Sequence, residues 1–429
     1  MYIIFNAKVY KSIIYKYPYI LDNRFSSNKI YKVDKVKERK ICTKIEHIDG
    51  IGKAMGTILR SPGIDISLFG DSILEESQAP DIDLIEDDNQ IAKLLGDKRR
   101  YIEASIIEDN KKPENFSDVT CKQNYDDNFR IEYAIDGSIR TKYMGEISYG
   151  SKGGPIVAGN IGAVATRINY EKRRVEPGNN LTKIIFYFPD ILPDSIKEKL
   201  KNVETQFNQI QIDYISEIET PTSLRSAAGG KIRNIMHENE IDLAQNHVSK
   251  DRNWLLMDGA LRKSTFYSLP KTIGVAKSFG QKIIFLGNDG KPPRNISHLS
   301  KLGQGKRSPV YKYQLLNSQQ KDYEGDIDTE KLVFWYLKLR ESPPEMAPLG
   351  GIVKIDLVIN SDMEKATITE YADKLSHSVL RIMDPSIFPR PRWPSFVYPV
   401  RVCEEYLDSL LLNALEFNRI GVMLRSVIS

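Results

Sequence analysis

The chain has 429 residues, 41% apolar and 28% charged, the composition of a globular protein long enough for two or three domains. A formal net charge of +4 does not announce a nucleic-acid partner, although a near-neutral total can conceal a local basic groove. Three widely spaced cysteines, Cys42, Cys121 and Cys403, exclude a fully paired disulfide framework or a cysteine-based zinc site and fit a reducing cytoplasm. No run approaches the roughly 20 apolar residues that span a bilayer, so no membrane partner is expected.

The first stretch, "MYIIFNAKVYKSIIYKYPYI", is apolar but broken by Lys8, Lys11 and Lys16, and reads as β-prone structure and not as an export signal. A basic stretch, "KVDKVKERK", precedes the helix-compatible "IDGIGKAMGTILRS" and the acidic "GDSILEESQAPDIDLIEDDNQ". "IIEDNKKPENFSDVTCKQNYDDN" is polar with little apolar periodicity, as a linker or surface excursion would be. A loose boundary near Asp126 separates residues 1–125, a region suited to partner docking or dimerisation, from residues 126–429.

Beyond it the pattern becomes regular. "FRIEYAIDGS", "GPIVAGNIGAVATRINY" and "TKIIFYFP" read as strands, with "EKRRVEPGNN" a polar turn between the last two. A helix is expected from about Pro221, and the short apolar "NWLLMDG" is a buried strand. "TIGVAKSF" and "KIIFLGN" continue the alternation, and residues 288–313 suggest an exposed basic loop. "KLVFWYLKLR" and "GGIVKIDLVI" look like adjacent strands. "TEYADKLSHSVLRIM" then reads as a helix, "PRPRWPSFVYP" as a rigid segment and "RVCEEYLDSLLLNALEFNRI" as a last helix. Strands and helices mixed in this way predict an α/β or α+β core.

Two apolar runs end in the same way, at Asp136-Gly137 and Asp258-Gly259. Each is locally a hairpin-turn signal. Each also delivers a carboxylate to the end of a buried strand, where ligands sit in an α/β sheet, with a glycine that lets the backbone turn or a ligand approach. Should the strands be neighbours, two carboxylates converge and a hard divalent cation relieves their repulsion. "RNIMHENEIDLA" offers Glu238 or Glu240 as a third oxygen ligand, Glu240 sharing a helical stripe with Arg233 and Ala244 and lying beside His237. Lys277, alone inside "TIGVAKSF", is either a cation beside those carboxylates or an edge lysine with its head in solvent.

In order and spacing, "AIDGSIR" at Asp136, "MHENEI" at Glu240, "LLMDGAL" at Asp258, "IGVAKSF" at Lys277, "VFWYLKLR" around Tyr336 and "YPVRVCEEYLDSLLL" near the end resemble the NurA nuclease family. The resemblance covers approximately Phe129 to the C-terminus. It implies an RNase H-like mixed sheet flanked by helices and a divalent-metal-dependent deoxyribonuclease acting on DNA ends and single strands. It also implies a homodimer that works with a HerA-type hexameric ATPase in end resection or anti-phage defence.

Carried over by position, Asp136, Glu240 and Asp258 are the implied catalytic metal ligands and Lys277 the accompanying lysine. The implied cofactor is Mn2+ (or Mg2+), two ions roughly 3.5–4 Å apart, with Asp136 bridging them. The sequence departs from the family after "YP", where members commonly carry a histidine. Here Val402-Cys403-Glu404-Glu405 follows Arg401, and either Glu404 supplies an oxygen ligand instead or the site is weakened.

DNA contact is expected from Arg294, Lys301, Lys306 and Arg307 in the basic loop and from Arg390, Arg392 and Trp393, through phosphate charge and base stacking. The alternatives are a NurA-like scaffold that binds DNA or the ATPase without cutting, a small-molecule phosphotransferase, and a structural protein in which both Asp-Gly pairs are turns.

Overall fold

The computed structural model describes residues 46–68, 102–216, 221–248, 253–261, 264–279, 283–287, 293–313, 331–341, 348–360, 362–385 and 395–428. The apolar N-terminal stretch, the acidic segment, Arg390, Arg392 and Trp393 lie outside these residues.

A helix at residues 46–59 (α1) leads into β1 (Ile64–Leu68), β2 (Ile102–Ile106) and β3 (Ser117–Asp118). Three long strands follow: β4 (Ile131–Tyr149), β5 (Lys152–Asn169) and β6 (Arg174–Pro189). Next come α2 (Asp194–Gln206), β7 (Ile210–Ile215), α3 (Pro221–Val248), β8 (Trp254–Asp258) and β9 (Thr272–Ala276). The rest is β10 (Ile283–Leu286), β11 (Arg294–Asn295), β12 (Lys306–Arg307), β13 (Tyr311–Tyr313), β14 (Leu332–Lys338), β15 (Ile352–Val358), α4 (Lys365–Arg381), α5 (Tyr398–Leu410) and α6 (Ala414–Ile428).

All the strands belong to one mixed sheet in the order β11-β10-β2-β13-β14-β15-β9-β8-β4-β5-β6-β7, the α/β class that the alternation of patterns predicts. β4, β5 and β6 form an antiparallel meander, whereas β8 runs parallel to β4 and β9 parallel to β8. β14 and β15 pair antiparallel over their whole lengths, as their sequences suggest. The described residues before Asp126 join this same sheet: β1 pairs the far half of β4, and β2 sits between β10 and β13. Among the described residues no helix is long and apolar enough to cross a membrane.

Helices cover both faces, and the side-chain period of two decides which residue meets which layer. Tyr133 and Ile135 of β4 pack with Ile241, Leu243 and Ala244 of α3. Ala134 packs in the other layer with Leu375 and Val379 of α4 and Val400 of α5. Between Tyr133 and Gly137, odd residues of β4 therefore look toward α3 and even residues toward α5.

Several local expectations change. β4 runs straight through Asp136-Gly137-Ser138 to Tyr149, so the first Asp-Gly is not a turn. β6 begins at Arg174 and absorbs most of the polar "turn". The last helix is two, because Asn413 and Glu416 exchange backbone N–H bonds (3.0 and 2.8 Å) in a capping box that starts α6 afresh. The part of the basic loop that is described, residues 293–313, is built into the sheet as β11 at its edge, β12, and β13 between β2 and β14. Within the polar stretch 106–128, Glu108 is only 4% exposed, so this is not a mere surface excursion.

Candidate metal centre at the end of beta 8

The parallel register pairs Ala134 with Leu256 and Ile135 with Met257, which sets Asp136 beside Asp258. β8 ends there, while β4 carries on. The turn away is made by Gly259, whose φ of +98° favours a residue without Cβ. Its N–H donates to the Val275 carbonyl at 3.0 Å, and the Leu261 N–H donates to Asp356 Oδ2 of β15 at 3.1 Å. Asp356 is buried and accepts from Lys354 Nζ at 2.6 Å. This Lys354–Asp356 pair anchors the loop that follows Asp258. Its only sequence signal is a Lys-x-Asp spacing inside the apolar run "IVKIDLV".

Helix α5 brings the third carboxylate. Pro399, Val400, Cys403 and Leu407 form its buried stripe, and Glu404 stands at the margin of that stripe, on the α5 side of the sheet with Asp136. One oxygen each from Asp136, Asp258 and Glu404 lie within 4.8 Å of one another. Lys277, one residue beyond β9 and not inside it, closes the group: its Nζ is 3.0 Å from Asp258 Oδ2 and 2.8 Å from Glu404 Oε1. The same ammonium lies 4.8 Å from the Phe396 ring centroid, a contact with no signature in the sequence.

Asp136 is 6% exposed, and among the described residues no hydrogen-bond donor reaches its carboxylate. Burial, the negative charge of Asp258 and, more weakly, those of Glu240 and Glu404 push its pKa well above the ordinary carboxylate range, against the pull of Lys277. For Lys277 the balance goes the other way. Burial disfavours its charge, but Asp258, Asp136 and Glu404 outweigh that and raise its pKa. The site opens to solvent at Glu404, whose side chain is 39% exposed. Cys403, beneath Asp136, is buried and touches Thr166 Oγ1 at 3.4 Å. Burial and the charge of Asp136 hold it as a thiol.

Glu240 takes a different position from that expected of a direct ligand. Gly137 faces α3, and a Cβ there would come within 2.7 Å of Glu240 Oε1 and 2.2 Å of Met236 Sδ. The glycine after Asp136 thus makes room for α3 and Glu240. Glu240 is buried, bonded to His237 Nδ1 at 2.8 Å, and stands behind β4, outside the group of three, although its charge reaches Asp136. Glu238 is exposed, which separates the two glutamates.

The expected DNA contacts do not assemble here. Arg307 is 1% exposed and bonded to Glu108 and Asp373, so its guanidinium is a structural group and cannot meet a phosphate. Arg294 donates from Nε to Glu114 at 2.8 Å on β11, seven strands along the sheet from β8 and so roughly 30 Å away. Lys306 is exposed but neighbours β14 and β3. Tyr336 is buried among Phe279, Phe285 and Phe334.

The donor set fits a hard divalent cation. It is all carboxylate oxygen, it carries more negative charge than Lys277 offsets, and its most buried member lacks a donor. No protein-family model matches the sequence, and no curated protein matches it.

Proposed function

We propose that this chain is a divalent-metal-dependent deoxyribonuclease of the NurA kind. The single observation that carries the reading is the meeting of Asp136, Asp258, Glu404 and Lys277 from four separate segments of the chain. Asp136, Asp258 and Lys277 stand in motifs that resemble that family, and Glu404 stands where the sequence departs from it. The antiparallel β4–β6 meander extended by parallel β8 and β9 is compatible with an RNase H-like core.

A divalent cation, Mn2+ or Mg2+, would be held by Asp136 and Asp258 with Glu404 at the open side, and would supply Lewis acidity toward a phosphodiester. The protein's own groups do the rest. Asp136 and Asp258 are fixed by the β4–β8 register, so the reacting end of a strand entering past Glu404 meets pre-positioned oxygens. Lys277 presents a positive charge where negative charge grows on the phosphate, a preorganised stabilisation that is strongest away from bulk water. Glu240, held by His237, steadies the back of β4 at Gly137. By the same resemblance the chain acts on DNA ends and single strands as a cytoplasmic homodimer, with a HerA-type hexameric ATPase feeding it DNA in repair or anti-phage defence.

The test is incubation of the purified chain with linear duplex and single-stranded DNA in Mn2+, Mg2+ or chelator, alone and with a HerA-type ATPase. Cleavage that needs the metal and is lost in Asp258→Asn is the expected result. A scaffold that binds without cutting is the second reading, favoured by the absence of histidine from residues 402–405 and by the Lys277 clamp on two of the three carboxylates. DNA retention without metal-dependent cleavage in any arm would select it.

A further inference from the structure

The nuclease reading leaves open how many cations the centre takes, and the residues in place bear on that number. The cluster is small: its three carboxylate oxygens lie within 4.8 Å of one another. Oxygens on opposite sides of one Mg2+-sized ion are about 4 Å apart, twice a bond of roughly 2.0–2.1 Å. A pair of ions roughly 3.5–4 Å apart can share a carboxylate that bridges them, so the span alone admits either number.

Charge decides between them. Asp136, Asp258 and Glu404 bring three negative charges when ionised, and Lys277 already stands within hydrogen-bonding distance of two of them, at 3.0 and 2.8 Å. One divalent ion brings the front of the site to neutrality. A second would leave it two units positive, and Glu240 behind β4 offsets only one of those. Uncompensated charge is costly beside residues as enclosed as Asp136 and Lys277, whose side chain is 12% exposed.

The lysine is also difficult to displace. It follows directly on β9, which is locked between β8 and β15, and its ammonium sits near the Phe396 ring. Asp136, by contrast, is nine-tenths buried and meets no hydrogen-bond donor among the described residues, so it is the carboxylate still lacking a cation.

We infer that the Lys277 ammonium occupies the place of a second cation, so that the centre binds one divalent ion per chain, on the Asp136–Asp258 side. This rests on the metal-centre reading above and replaces the two-ion expectation. Lys277 then serves as a permanent counter-ion for Asp258 and Glu404.

Calorimetric titration of the full, chelator-treated chain with MnCl2 tests it without reference to activity. The expected stoichiometry is one ion per chain for the wild type and for Lys277→Arg, and two for Lys277→Met, which keeps most of the length of the side chain and removes its charge. Two ions in the wild type would overturn the inference and leave the nuclease reading standing. One ion in a folded Lys277→Met would also overturn it, because the lysine would not be what excludes the second. No binding at all, or binding indifferent to Asp136→Asn and Asp258→Asn, would overturn the metal centre itself. Should the methionine variant fail to fold, Lys277→Gln takes its place, and the wild-type stoichiometry decides alone if both fail.

Discussion

Two enclosed clusters of charge in this molecule are built from the same residue types and arranged to opposite ends. In the first, Arg307 is 1% exposed and donates to Glu108 at 2.9 Å, to Asp373 at 2.5 Å and to the Ser308 carbonyl at 2.9 Å. The second oxygen of Glu108 accepts the Val310 N–H at 2.9 Å. Each guanidinium nitrogen and both oxygens of Glu108 have a partner, so the cluster stitches the segment after β2 to β12, β13 and α4. In the second cluster two of three carboxylates share one ammonium, Asp136 meets no donor among the described residues, and the opening lies at a half-exposed glutamate. Satisfaction marks the structural cluster, and unsatisfied charge beside an opening marks the candidate site.

The sharpest test of that contrast substitutes one residue in each. Asp258→Asn should lower metal-dependent cleavage by more than about 100-fold, the upper scale for even the outer partners of metal ligands, while the melting temperature in chelator stays level or rises. Arg307→Met should do the reverse. It strands Glu108 in the interior and should cost about 3–5 kcal/mol of stability by denaturant titration, with unchanged metal stoichiometry in the folded fraction. Equal behaviour of the two variants in both measurements would erase the distinction.

A smaller effect bears on the support behind the second cluster. In Gly137→Ala the new methyl meets Met236 and Glu240, and the overpacking should cost about 1–3 kcal/mol. α3 must shift, so Mn2+ affinity measured by calorimetry should fall as well. Were Gly137 only a turn residue, neither quantity would respond to that contact.

The two Asp-Gly pairs show what was legible in the sequence and what was not. Both aspartates could be picked out because an apolar run that ends in a carboxylate is a local pattern, and the mixed sheet could be expected from the alternation of such runs. The purposes of the two glycines could not. Gly259 does turn the chain, with φ +98°, whereas Gly137 lies within a strand and yields space to a helix more than ninety residues away in sequence. The burial of Arg307 was hidden for the same reason. "GQGKRSP" has the composition of an exposed loop, and only pairing across the sheet brings Glu108 and Asp373 to the guanidinium. Glu404 lay beside a helix stripe of regular spacing, yet its approach to Asp136 depends on how α5 crosses β4. The split between α5 and α6 was readable, since "NALE" at Asn413–Glu416 is a capping box.

The smallest expected effect concerns pH, and its sign is opposite to that of a carboxylate held by a cation or by hydrogen bonds. Burial and the charges of Asp258, Glu240 and Glu404 raise the Asp136 pKa above 3.8, so the metal-free folded chain holds a proton there that the unfolded chain has released. Stability therefore falls as pH rises from about 4 through the raised pKa, by at most about 1.4 kcal/mol per pH unit for one proton. Asp136→Asn removes this slope and should make the metal-free protein more stable than the wild type at neutral pH, by about 1 kcal/mol or more. Saturating Mn2+ should cancel the difference, because the ion compensates the same charge that the proton does. Denaturant titrations of both proteins at several pH values, in chelator and in Mn2+, measure all four quantities.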